Sequence, residues 1–111
     1  MAKITVTAGT VTADLTAADV SGHGWLSEIF NARPYGDYPR LILDLMQVPY
    51  PVESAFVGCI AACWRRAVRE KGWRLEIRAH KEIAEQLRSL GLSQLPNSEI
   101  TVPVIPLSAS A

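Results

Sequence analysis

Residues 40–73 read RLILDLMQVPYPVESAFVGCIAACWRRAVREKGW, and this stretch decides the fold. Leu41, Ile42 and Leu43 form a continuous apolar run, followed by Leu45 and Val48. A short run of this kind marks a strand buried on both faces, as in the centre of a sheet covered by helices. Pro49 and Pro51 end it: neither donates a ladder hydrogen bond, and each drives the preceding residue towards extended geometry. Glu53 to Lys71 then lacks proline and carries Phe56, Ile60, Cys63 and Ala67 at helical spacing, with Val57, Ala61, Trp64 and Val68 in the adjoining stripe. The spacing predicts one long helix over 53–71, its wide apolar face on the sheet and Gly72 as its C-terminal cap. The remaining side is small at its start (Ser54, Gly58, Ala62) and basic at its end (Arg65, Arg66, Arg69), where cations suit the helix dipole.

Downstream, WRLEIR at 73–78 sets Trp73, Leu75 and Ile77 against Arg74, Glu76 and Arg78, the alternation of a one-sided strand. His80 to Leu90 reads as a second helix with Ile83, Ala84, Leu87 and Leu90 inward. Gly91 ends it, and Leu92 and Leu95 continue the packing. ITVPVI at 100–105 is a short strand that Pro103 restricts to an edge. Upstream, KITVTAGTVTA at 3–13 alternates around Gly9, which marks a bend or a tight turn between two short strands. Thr16 can cap a helix whose buried stripe is Val20, Trp25, Leu26, Ile29 and Phe30, although Gly22 and Gly24 weaken its first part. Residues 33–39 are a loop. The order predicts an α/β fold: a four- or five-stranded mixed sheet, mainly parallel, with helices packed mainly on one side. Residues 1–107 form a single domain and 108–111 a frayed tail.

A chain of 111 residues, 49% apolar and 20% charged, suits one globular domain. No apolar run approaches the roughly 20 residues of a membrane span, and Met1 to Ile4 begin no signal peptide, which predicts a cytoplasmic protein. Net charge is zero, so no global field draws the chain to nucleic acid or to a membrane. The basic residues nevertheless concentrate between Arg65 and Lys81, either as a solvated helix end and strand edge or as a contact for an acidic partner. Cys59 and Cys63 lie one helical turn apart with neither His23 nor His80 near in sequence, which predicts buried reduced thiols and no metal or redox pair. Asp44 ends the central strand, and with no second acid beside it the expectation is a hydrogen bond to turn amides. There is no Gly-rich phosphate loop and no nucleophile elbow, and Ser54 has no neighbouring histidine. No catalytic residue and no cofactor are expected.

The stretch from Leu41 to Leu95 resembles a STAS domain, the fold of bacterial anti-sigma-factor antagonists. That family's pattern is a buried strand ending in Asp-Leu, a connection containing Val, and Asp-Ser-Ser-Gly-Leu-Gly at the start of an amphipathic helix. A strand and a second helix ending near Gly-Leu follow. Leu43-Asp44-Leu45 is similar to the strand end, Val48 and Tyr50 to the connection, and Ser54 to Arg69 to the helix. Residues 72–77 resemble the next strand, and Leu87, Leu90-Gly91-Leu92 and Leu95 the second helix and its exit. The resemblance implies a protein-binding regulatory domain of bacterial signalling. Its partner would be an anti-sigma factor that is also a serine kinase, or a signalling scaffold. A homodimer is left open, and the alternative is a module binding a nucleotide or an anion.

The chain departs from the pattern at the family's phosphorylation switch. The motif Asp-Ser-Ser-Gly becomes Val52-Glu53-Ser54-Ala55, so Glu53 stands at the usual phosphoserine position and only Ser54 remains of the serines. Glu53 falls at a helix N-terminus, where unpaired amides and the dipole favour negative charge and would equally accommodate a phosphate. One carboxylate imitates in part the −1.5 to −2 charges of a phosphoserine. Glu53 either fixes a phosphorylated-like state or merely caps the helix, and Ser54 is either the phosphoacceptor or solvated. The expected partner-binding residues are Tyr50, Pro51, Glu53, Ser54, Gly58, Ala62 and Arg65, the small ones allowing close approach.

Overall fold

The computed structural model describes residues 3–7, 9–22, 24–31 and 40–103. The strands are β1 (Lys3–Thr7), β2 (Thr10–Thr16), β3 (Arg40–Gln47), β4 (Arg74–Arg78) and β5 (Ser98–Thr101). They form one five-stranded sheet in chain order. β1 pairs antiparallel with β2, and Gly9, at φ +72°, turns the chain between them. The pairs β2–β3, β3–β4 and β4–β5 are parallel, because helical segments intervene between their strands. These are α1 (Ala17–Val20), α2 (Gly24–Asn31), α3 (Ser54–Trp64) and α4 (Lys81–Ser89).

The register aligns Ala13, Leu43, Ile77 and Ile100 across one row, and Val11, Leu41 and Leu75 across the next. This face shares a single core with Trp25 and Ile29 of α2, Phe56 and Ile60 of α3, and Ile83 and Leu87 of α4. Helices therefore cover one face of the sheet, as the sequence pattern predicts. Trp25 meets Phe56 with ring centroids 5.8 Å apart, and Phe30 stacks on Trp73 at 5.7 Å. The opposite face carries Thr12, Ile42, Glu76 and Glu99 in register. The run in β3 is buried on both sides, with Ile42 only 4% exposed, but among the described residues no helix packs on Ile42's side.

Several expectations are corrected. The first predicted helix is two: α1 opens at Thr16, whose N–H donates to the Asp19 carboxylate at 2.8 Å, and α2 starts anew at Gly24. Ser21 and Gly22 separate them, and glycine resists helical continuation. The long helix is α-helical to Trp64 and π-helical over Arg65–Glu70. The wider turn admits an extra residue, so that Ala67 and Val68 are both buried. It closes where Gly72, at φ +74°, donates to the Val68 carbonyl and Trp73 to that of Ala67. Leu90, expected inward, is 56% exposed, because it lies past the end of α4 where the helical phase is lost. Val6 is 39% exposed on the edge strand β1. Trp64 is half-buried, its indole N–H donating to the Pro96 carbonyl at 2.8 Å. β5 is the opposite edge but ends at Thr101, ahead of Pro103, which has no N–H for a ladder. The expected loop at 33–39, His23, residues 104–105 of the last strand and the tail 108–111 lie outside the described residues.

The core reading has a direct test by urea denaturation. Ile60→Ala, at a fully buried site, is expected to cost about 2–5 kcal/mol. Ala62→Lys, on the exposed side of the same helix, is expected to change stability by less than about 0.5 kcal/mol.

Candidate protein-docking site

At the end of β3 the chain leaves the sheet through a short hydrogen-bonded turn. The Asp44 carboxylate accepts the Met46 N–H at 2.9 Å, and Val48 N–H reaches the Leu45 carbonyl at 3.0 Å. Asp44 thus bonds a turn amide, as its position predicts. Val48 and Val52 are both buried and anchor the connection, while Pro49, Tyr50 and Pro51 between them are exposed. Tyr50 is 59% exposed, and its peptide bond to Pro51 is cis. Beside this loop a cleft of about 410 Å³ opens at the carboxyl end of β3, lined by Met46, Val48, Pro49, Tyr50, His80 and Ile83. His80 Nε2 lies 2.9 Å from the Met46 carbonyl and so carries the proton in that contact.

Glu53 occupies the N-cap position of α3 with extended backbone (φ −80°, ψ 154°), and its carbonyl accepts the Val57 N–H at 3.1 Å. Its carboxylate makes no capping hydrogen bond, so Glu53 does not cap the helix with its side chain. Ser54, Ala55, Gly58, Ala62 and Arg65 follow, all exposed. Helical spacing aligns positions 54, 58, 62 and 65 along one side of α3. The structure therefore gathers Tyr50, Pro51, Glu53 and Ser54 at the head of a stripe that Gly58, Ala62 and Arg65 continue. A Cβ built on Gly58 meets nothing within 4 Å. The basic run is partly explained by packing: the Arg66 guanidinium sits 4.3 Å from the centroid of Phe30, and the Lys71 ammonium 5.8 Å from that of Trp73.

Alternation places Glu76 on an open face with Arg74 and Arg78, yet it is only 5% exposed. Arg40 pairs with its Oε1, Arg78 Nε donates to Oε2 at 2.7 Å, and the Thr101 hydroxyl donates to Oε2 at 3.2 Å. Burial pushes the carboxyl pKa up, but the hydrogen bonds and charges of Arg78 and Arg40 outweigh it and hold the group below the usual glutamate value. A smaller cleft of about 290 Å³, lined in part by Arg40, Arg74, Glu76 and Glu99, lies at the amino ends of β3, β4 and β5. Sequence could have signalled Glu76 only through its registered neighbours, which alternation within one strand does not name.

Cys63 is fully buried, and desolvation pushes its thiol up to about 12, against a smaller opposing effect of Arg66. Cys59 is half-buried, a partial correction to the expectation of two buried thiols. Among the described residues, no three histidine, cysteine or acidic side chains gather as metal ligands. Among them also, no helix is long and apolar enough to cross a membrane.

The same architecture occurs in solved structures. The chain superposes over 99% of its length on 91% of an anti-sigma factor antagonist from Mycobacterium paratuberculosis, with a TM-score of 0.65 and 14% identity. The fold is STAS-like. The protein TM1081, solved by NMR, shares it with a TM-score of 0.70 and 13% identity, over 99% of this chain and 85% of that one. No family model matches the sequence, and no curated protein does. The STAS-like fold is thus carried by topology and burial at a low level of identity.

Two outcomes follow for the titrating groups. Glu76 has a depressed folded-state pKa, so its ion pairs stabilise the chain above the ordinary glutamate value of 4.5 and lose that effect as pH falls through the lower folded value. Glu76→Gln is expected to cost about 1–2 kcal/mol at pH 7, since both arginines remain partly solvated. The difference from wild type should vanish in acid, as read by urea titrations at a series of pH values. A thiol reagent at pH 8 should modify Cys59 in the native chain and leave Cys63 unmodified until unfolding, as counted by mass spectrometry.

Proposed function

We propose that this chain is a non-enzymatic regulatory domain that acts by binding a protein through the Tyr50–Ser54 loop and the outer side of α3. The reading is anti-sigma-factor-antagonist-like, with a serine-kinase-type anti-sigma factor as the partner. Gly58 carries it. Glycine inside a helix costs about 0.5–1 kcal/mol relative to alanine. Gly58 has no positive φ and, among the described residues, no close neighbour that would require it, so the described fold gives no reason for the missing Cβ. A partner that must approach the helix backbone closely supplies one. The likeness to the mycobacterial anti-sigma factor antagonist supports the same direction through the fold. Tyr50 adds an exposed aromatic beside the helix start, the residue type most enriched where interfaces bind tightly. Glu53, its carboxylate free of the helix amides, offers a constant negative charge where the family carries a switchable one, and Ser54 leaves one hydroxyl for phosphate in the first turn.

Stability and binding should separate at these positions. Gly58→Ala should raise stability by about 0.5–1 kcal/mol, whereas Gly58→Trp should leave the fold intact and abolish binding. Tyr50→Ala should weaken binding by about 2 kcal/mol, near thirtyfold. The measurement is calorimetric titration with the anti-sigma factor. No heat with the wild-type chain and no complex on gel filtration would reject the reading.

A further inference from the structure

The proposed docking loop is held by a side chain that belongs to another helix. Gln86 lies on α4, and its amide meets both backbone polar groups of Val52. The Val52 N–H donates to Gln86 Oε1 at 3.0 Å, and Gln86 Nε2 donates to the Val52 carbonyl at 2.8 Å. This is the exchange that two paired strand residues make, supplied here by a side chain. The neighbouring residues have little to substitute for it. Pro49 and Pro51 have no N–H, and the Glu53 carbonyl is already engaged by Val57. An amide donates and accepts at once across a planar fork. A carboxylate would face the Val52 carbonyl without a donor, and an aliphatic chain offers neither group. The Val52 side chain, 5% exposed, anchors in the core beneath, so the residue is held on both its backbone and its side chain.

We propose that Gln86 is a positioning residue for partner recognition: its clamp fixes the backbone at Val52 and so sets where Tyr50 and Glu53 stand on the docking surface. The inference rests on the docking reading above and adds α4, which contributes no residue to that surface, as its support. Without the clamp the loop between Val48 and α3 keeps its two apolar anchors but loses the constraint on its backbone, and binding then has to order it.

The test combines amide exchange in the isotope-labelled free chain with titration by the serine-kinase-type anti-sigma factor. In Gln86→Leu, of similar bulk, the Val52 amide should exchange at least about tenfold faster, and affinity should fall about tenfold. The amides of Leu43 and Ile60 should hold their wild-type rates. Unchanged exchange at Val52 overturns the clamp. Faster exchange with unchanged affinity overturns the positioning role. Absence of binding by the wild-type chain sinks the docking reading and the positioning role with it, while Val52 exchange still decides the clamp. Should Gln86→Leu unfold at the working temperature, Gln86→Met, with an unbranched chain of similar length, is read against the same outcomes.

Discussion

The burial of one stripe of α3 against the central strands governs the rest of the molecule. Phe56, Ile60, Cys63 and Ala67 are all fully buried in the core that Leu41, Leu43 and Leu45 line from β3. Full burial of a large apolar side chain contributes about 1.5–3 kcal/mol, so Phe56 and Ile60 alone outweigh the cost of one helical glycine, about 0.5–1 kcal/mol. The helix is thus over-determined from its inner side, and its outer side is free to be chosen for something other than stability. The connection that feeds the helix obeys the same constraint. Val48 and Val52 must both reach the core, and the residues between them stand exposed, Tyr50 at 59%.

The other face of the sheet is completed differently. Among the described residues it has no helical cover, yet Ile42 and Glu76 at its centre are nearly inaccessible. The carboxylate there is bonded by Arg40 from β3, by Arg78 of its own strand and by the Thr101 hydroxyl from β5, so its contacts join three strands. A buried charge of this kind adds little net stability over an apolar replacement, but removing one partner from it is costly. The two faces of the domain divide their roles accordingly: apolar burial under the helices and charge pairing on the open side.

How much of this is legible in the sequence depends on whether the signal is local. The strand–helix order, the Gly72 and Gly91 stops and the inward stripe of α3 all follow from periodicity and chain punctuation, and they hold in the structure. The outward exposure of Tyr50, Ser54, Gly58 and Ala62 was legible as the complement of that stripe. What was not legible depends on neighbours distant in sequence. Besides the local Arg78, the contacts that enclose Glu76 come from Arg40 on β3 and Thr101 on β5. The bond from Trp64 to Pro96 and the grip of Gln86 on Val52 likewise join segments more than thirty positions apart. The π-helical turn at Arg65–Glu70 escaped for another reason: a pattern read at 3.6 residues per turn has no place for one extra residue.

On the proposed reading, α3 and the loop before it are the surface through which this domain acts. The most direct measurement is amide chemical-shift mapping of the labelled chain during titration with an unlabelled serine-kinase-type anti-sigma factor. Perturbations are expected to concentrate between Tyr50 and Arg65, with the open sheet face at Thr12, Arg40 and Glu99 unaffected. Perturbations confined to that sheet face, with Gly58 and Ala62 unmoved, would contradict it.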